Sequence, residues 1–170
     1  MIEFSVKGLK EVESALKSLP KKSAKKALRS AVRAGGGVVR KAARANLPAS
    51  YGTLKKSIFV KVFPVRNYST TALIGPDKES GWYGHIVERG AEPHEIPKTK
   101  GNWNFLGFFG FKKIPMVING NVFTGPIQHP GVKPIPFMAR AFSQTQNEVP
   151  DAIGKKLWQV IEREAAKLAK

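Results

Sequence analysis

The segment Lys21 to Asn46 constrains this chain more than any other, because small apolar residues and basic residues divide one long helical period between them. Ala24, Ala27, Leu28, Ala31, Val32, Gly35, Val38, Val39 and Ala42 recur at i, i+3, i+4, i+7 spacing, which lines one face of a helix. Lys22, Lys25, Lys26, Arg29, Arg33, Arg40 and Arg44 project from the other side. A stripe of Ala and Gly lets such a helix approach a sheet or a neighbouring helix closely. Gly35-Gly36-Gly37 at its centre costs about 1 kcal/mol per residue against Ala, so the triplet predicts either a kink or a close contact. Pro48 ends the segment.

The basic side has no internal counter-charge. Between Glu13 and Asp77 the chain holds fourteen Lys and Arg and no acid, within a formal net charge of +17 and a pI near 10.3. An ordinary solvent face would include Glu for i,i+4 pairing. The excess runs on through Lys55, Lys56, Lys61 and Arg66. A surface of this kind calls for an anionic partner: nucleic acid, an acidic protein or a membrane surface.

The remaining pattern predicts an α+β domain. Ile2 to Val6 alternates as a short strand, and Leu9, Val12, Leu16 and Leu19 mark a helix that stops at Pro20. Ser57 to Arg66 and Thr70 to Gly75 read as two strands joined by a turn near Asn67. Gly81 to Gly90 fits a third strand or a short helix equally well. Residues 91–131 form a long loop or hairpin segment. It holds Trp103, Phe105, Phe108, Phe109 and Phe111, and strands at Ile114 to Ile118 and Val122 to Ile127 flank Asn119-Gly120-Asn121. From Pro134-Ile135-Pro136 onward, Phe137 to Asn147 and the face of Ile153, Leu157, Val160, Ile161 and Leu168 give two helices, or one kinked at Pro150. The expected architecture is a small antiparallel sheet with the long basic N-terminal helix and the C-terminal helix packed on one face. Residues 1–170 form a single domain in this reading, long enough to bury a substantial core at 42% hydrophobic content. No cysteine supplies a disulfide, no leader-like N-terminus is seen, and no run of eighteen apolar residues offers a membrane span.

Catalytic signals are weak. His85, His94 and His129 are far apart in sequence, with no H-x-x-x-H pair, and neither a G-x-S-x-G elbow nor a phosphate-binding G-x-x-x-x-G-K-[ST] loop occurs. Glu88 and Glu92 would approach each other only on a helix, where solvated charge or pairing with Arg89 is the ordinary role. The reading is of a protein that is not an enzyme, with no cofactor and no metal site. The aromatic run from Trp103 to Phe111 contains no basic residue from Asn102 to Phe111, so it suits an apolar flap docking on another subunit better than base stacking.

Several segments in order resemble one family. They are Val6-Lys7-Gly8-Leu9 with its helix to Pro20, the cationic Ala-rich helix, and Gly52-Thr53-Leu54-Lys55-Lys56-Ser57-Ile58. Ile74-Gly75-Pro76, Tyr83-Gly84-His85-Ile86-Val87-Glu88-Arg89-Gly90, Pro93-His94-Glu95-Ile96 and His129-Pro130-Gly131 through Pro136-Phe137-Met138 complete the set. This order resembles the tail-completion, or head–tail joining, minor tail proteins of long-tailed bacteriophages; the stretch from Trp103 to Phe111 is richer in Gly and Phe than the family pattern. The resemblance implies a virion component of the neck, made in the host cytoplasm and arranged as a ring of six copies. Its neighbours would be connector and tail-tube proteins, with packaged double-stranded DNA passing through without sequence recognition and with no membrane contact. Lys22, Lys25, Lys26, Arg29, Arg33, Arg40, Arg44, Lys55 and Lys56 would then face DNA or a partner ring. Phe105, Phe108, Phe109, Phe137 and Met138 would make subunit-interface or core contacts. The alternative is a monomeric protein that binds double-stranded nucleic acid through the same helix, without regard to sequence.

Overall fold

The computed structural model describes residues 9–96, 116–118, 121–123 and 127–168. Its fold is α+β, and among the described residues it contains six α-helices and three two-stranded antiparallel pairings. The chain divides into two compact units, one formed by Met1–Gly84 with Pro136–Lys170 and the other by His85–Ile135. The expected strand at Ile2 to Val6 lies outside the described residues, as does the aromatic run from Trp103 to Phe111.

The first unit is organised around a single helix. Helix α1 (Leu9–Ser18) carries Glu11 in its first turn and Lys17 in its last, matching the helix dipole at both ends. It delivers Leu16 and Leu19 into the core and stops before Pro20. Helix α2 (Lys21–Ala45) starts with Ala24 N–H donating to the Pro20 carbonyl at 3.0 Å and ends with Asn46 N–H on Ala42 O at 3.0 Å. Its buried residues are Ala24, Ala27, Ala31, Gly35, Gly36, Val39 and Ala43, so the small-residue stripe is the inward face.

The helix runs unbroken through its three glycines, and close contact rather than a kink explains them. A Cβ on Gly35 would stand 2.6 Å from Ile153 Cγ1, and one on Gly36 2.6 Å from Val60 Cγ1. Neighbouring glycines thus admit a helix on one side and a strand on the other. Gly37 has no such neighbour within 4 Å.

Strands β1 (Ile58–Val62) and β2 (Ala72–Pro76) pair antiparallel in the register Val60↔Ile74, which sets both residues toward Gly36. The turn falls where the sequence places it. Asn67 and Tyr68 have φ of 47° and 59°, and Arg66 and Ser69 exchange two backbone hydrogen bonds of 2.9 and 2.8 Å around them. Two consecutive left-handed residues make the primed type of turn that matches strand twist. A one-and-a-half-turn helix that sequence periodicity did not reveal, α3 (Gly52–Ser57), precedes β1 and buries Leu54 completely.

The C-terminal part is two helices, α5 (Phe137–Thr145) and α6 (Glu148–Leu168), separated at Gln146 and Asn147. Pro150 is the third residue of α6, where its missing N–H has no intrahelical partner to lose. Helix α6 runs antiparallel along α2: Ile153 meets Gly35 and Glu164 meets Ser23. Leu16, Leu19, Ala24, Ala27, Ala31, Leu157, Val160 and Ile161 form the resulting three-helix core. Asn46 ties the end of α2 to α5 by donating to Phe137 O and Gln144 Oε1 at 3.3 and 3.1 Å.

The second unit continues from helix α4 (Gly84–Arg89), which settles the strand-or-helix choice for this stretch in favour of helix. Gly90 and Gly131, with φ of 76° and 82°, flank the Ala91–Val132 bridge. Strand β3 (His94–Ile96) pairs with β6 (Ile127–His129), and β4 (Met116–Ile118) with β5 (Asn121–Phe123) in the register Ile118↔Asn121. Asn121, expected between the strands, opens β5 instead, and Asn119 and Gly120 lie outside the described residues.

Candidate polyanion-contact face

The exposed side of α2 collects five of the nine basic residues singled out in the sequence. Lys22, Lys25, Lys26, Arg29 and Arg33, with Ser30, line one shallow groove. Their spacing of three and four residues stacks them along one face, and Arg40 stands five full turns beyond Lys22 on the same line. No apolar residue lines the groove.

Among the described residues one acid, from α6, reaches this face. The Glu164 side chain is only 9% exposed, yet it accepts from Lys26 Nζ at 3.2 Å, Ser23 Oγ at 3.3 Å and Lys167 Nζ at 3.3 Å. Arg163 Nε adds an ion contact at 3.7 Å. The hydrogen bond from Lys26 holds the Glu164 carboxyl below the usual carboxylate range; burial pushes the other way, and Lys167 reinforces the lowering. Glu164 fixes the ends of α2 and α6 against each other and brings Arg163 and Lys167 beside the basic row. Sequence reasoning missed these three residues. A signal existed: Glu164 continues the apolar face of Leu157, Val160 and Ile161, and a carboxylate there requires partners.

Lys22, Lys25, Arg29, Arg33 and Arg40 form no salt bridge among the described residues. Arg44 has a different role. Its Nη2 donates to Ile58 O at 2.8 Å and Lys56 O at 3.2 Å, so the guanidinium closes the end of α3 onto the start of β1 and is spent on backbone. Lys55 is half-buried and Lys56 exposed on α3.

The expected apolar contact residues are distributed unevenly. Phe105, Phe108 and Phe109 lie outside the described residues. Phe137 is 1% exposed and fills the chain's own core, the second of the two roles expected of it, while Met138 is half-buried. The exposed apolar side chains lie elsewhere. On the outer face of the β1–β2 hairpin, Phe63 is 41% and Leu73 50% exposed, with Lys61 Nζ 5.7 Å from the Phe63 ring centre. A Cβ on Gly75 would meet nothing within 4 Å. Trp82 and Phe142 are also open to solvent.

The histidines converge in part. His94 and His129 are cross-strand partners with rings stacked 5.0 Å apart. His94 Nδ1 lies 2.9 Å from the Glu92 carbonyl, and His129 Nδ1 accepts from Gly131 N–H at 3.1 Å. These bonds pin both rings to backbone, and among the described residues no group of three His or acidic side chains gathers for a metal. Glu88 lies on α4 but Glu92 follows its end, so no shared helix face joins them. Among the described residues no helix is long and apolar enough to cross a membrane.

Residues 10–90 match the HK97-gp10-like family, described as "Bacteriophage HK97-gp10, putative tail-component". No curated protein and no solved structure matches the chain. The family match covers α1, α2, α3, the β1–β2 hairpin and α4, and therefore the whole basic row. It indicates a structural component of a bacteriophage tail, and with it a place in the virion.

Proposed function

We propose that this chain, whose residues 10–90 match a family of bacteriophage tail components, completes the tail at the neck and makes it competent to join a filled head. The single observation that carries the reading is the pairing of that match with a helix face whose charge the fold leaves uncompensated. A tail or connector subunit must recognise something beyond itself, and a row of cations with one internal counter-charge, Glu164 on Lys26, is a surface built for another molecule. The protein acts by assembly: copies form a closed ring, six by resemblance, around the channel through which DNA leaves. Closure needs heterologous contacts between unlike patches of successive subunits. The outer face of the β1–β2 hairpin, with Phe63 and Leu73, and the open Phe142 supply apolar surface for them. No step of this function asks for a catalyst.

A nonsense mutation in the gene, in the phage that encodes the protein, tests the proposal. Lysates should contain filled heads and separate full-length tails, and adding the purified protein should restore joined, infectious particles. Normal joined virions without the protein, or a block in head filling, would refute the neck assignment.

A further inference from the structure

We infer that the groove on α2 binds the phosphodiester backbone of duplex DNA without regard to sequence, and that Glu164 acts as an internal counter-ion limiting how many cations the groove offers. The inference deepens the neck reading, which supplies the source of the duplex, but the binding itself is a property of the isolated chain.

The chemistry of the lining separates a phosphate ligand from an acidic protein. Lys22, Lys25, Lys26, Arg29, Ser30 and Arg33 include no aromatic and no aliphatic side chain. Protein interfaces are built around an apolar core with aromatic anchors. Phosphate contacts need only donors such as Lys, Arg and hydroxyl side chains, and they position the duplex without reading it. Among the described residues the exposed large apolar side chains lie on other elements, at Phe63, Tyr68, Leu73, Trp82, Phe142 and Trp158.

Spacing agrees. Lys22 and Arg33 are about 16 Å apart along the helix at 1.5 Å per residue. A strand of duplex presents a phosphate every 3.4 Å along its axis, so this row spans roughly five of them. Four of the five cations are unpaired; Lys26 is shared with Glu164. Each contacted phosphate contributes about −0.9 to the slope of log K against log salt, so the wild-type groove predicts a slope of roughly −3.6. Replacing Glu164 with Gln keeps its shape and one acceptor oxygen but removes the charge that holds Lys26, and the slope should steepen by about one.

The test measures binding of the full chain to two duplexes of unrelated sequence across a salt series, by fluorescence anisotropy, with circular dichroism confirming the fold of each variant. Equal affinity for both duplexes is expected. The paired change Lys25→Gln with Arg29→Gln should reduce affinity roughly 60-fold at 0.1 M salt and flatten the slope by about two. Lys41→Gln with Lys78→Gln removes the same charge from exposed positions outside the groove and should cost far less. Equal losses in the two paired variants would overturn the groove in favour of diffuse attraction to a +17 protein. Binding to polyglutamate with the groove's dependence, and none to duplex, would overturn it in favour of an acidic protein. Glu164→Gln leaving the slope unchanged would overturn the counter-ion role. A protein that binds duplex as stated, yet is found away from the neck, would refute the functional reading and leave this inference standing.

Discussion

Three consecutive glycines on one helix should respond in opposite directions to the same substitution. Gly→Ala in a helix interior gains about 1 kcal/mol of propensity, and this gain is common to positions 35, 36 and 37. At Gly37 nothing lies within 4 Å of the added methyl, so the gain is kept. At Gly36 the methyl would stand 2.6 Å from Val60 Cγ1, and at Gly35 2.6 and 2.9 Å from Ile153 Cγ1 and Cδ1. Both neighbours are β-branched and stiff at χ1, and Val60 is held in the β1–β2 register beside Ile74, whose Cδ1 lies 3.6 Å from the same point. Overpacking of this kind costs about 1–3 kcal/mol. Gly37→Ala should therefore raise stability by about 1 kcal/mol, while Gly35→Ala and Gly36→Ala should lie about 1–3 kcal/mol below it. In a chain of this length the spread corresponds to roughly 2–4 °C in Tm per kcal/mol. Urea unfolding of the three variants measures it. Adding Val60→Ala to Gly36→Ala should recover part of the loss, giving a total smaller than the sum of the single changes. Equal stabilisation at all three positions would refute the close approach of α2 to β1 and α6.

Further outcomes follow from individual groups. Arg44→Met should destabilise by about 2 kcal/mol, because a charged donor to two backbone carbonyls is lost, and it should leave the salt slope for duplex binding unchanged; thermal melts and anisotropy read the two effects separately. Asp77 accepts from the N–H groups of Glu79, Ser80 and Gly81 and from the Ser80 hydroxyl, with the Ser80 backbone N–H first among the causes that hold its pKa below the ordinary value. Glu164 is lowered as well. For a carboxyl with a depressed folded-state pKa, the unfolded chain binds more protons, so its stabilisation is present above the ordinary carboxylate range near 4 and is lost as pH falls through the lower folded value. Urea midpoints should drop across that interval, and Asp77→Asn should flatten part of the drop. Gly90→Ala forces a left-handed φ of 76° on a residue with a Cβ 2.6 Å from Val132 O. It should open the Ala91–Val132 bridge and speed amide exchange at both N–H groups, with exchange in α2 unchanged.

Much of the first unit was legible because its signals are periodic or local. The Ala and Gly stripe gave α2 and its inward face, Asn67 marked the hairpin turn, and Pro20 and Pro48 bounded the helices. The glycine triplet announced a close approach without saying to what, since the two partners come from β1 and the distant α6. Helix α3 was missed because six residues are too few for a helical period to emerge, and Gly52 and Thr53 at its start are poor helix formers. The basic row was visible in composition, but Arg44's diversion to the carbonyls of Lys56 and Ile58 depends on where α3 ends. Glu164 could be noticed as a carboxylate on an apolar stripe; that Lys26 and Ser23 meet it requires the antiparallel packing of α2 and α6. The stacking of His94 on His129 depends likewise on the β3–β6 register, which pairs residues far apart in the chain.

Electron cryomicroscopy of the assembled virion tests the central claim most directly. The account predicts density at the head–tail junction into which the α1–α2–α6 core and the β1–β2 hairpin fit as a closed ring, with the α2 basic face toward the DNA channel. Such a ring absent from the neck, with the protein found at the distal tail tip or in the capsid wall, would contradict it.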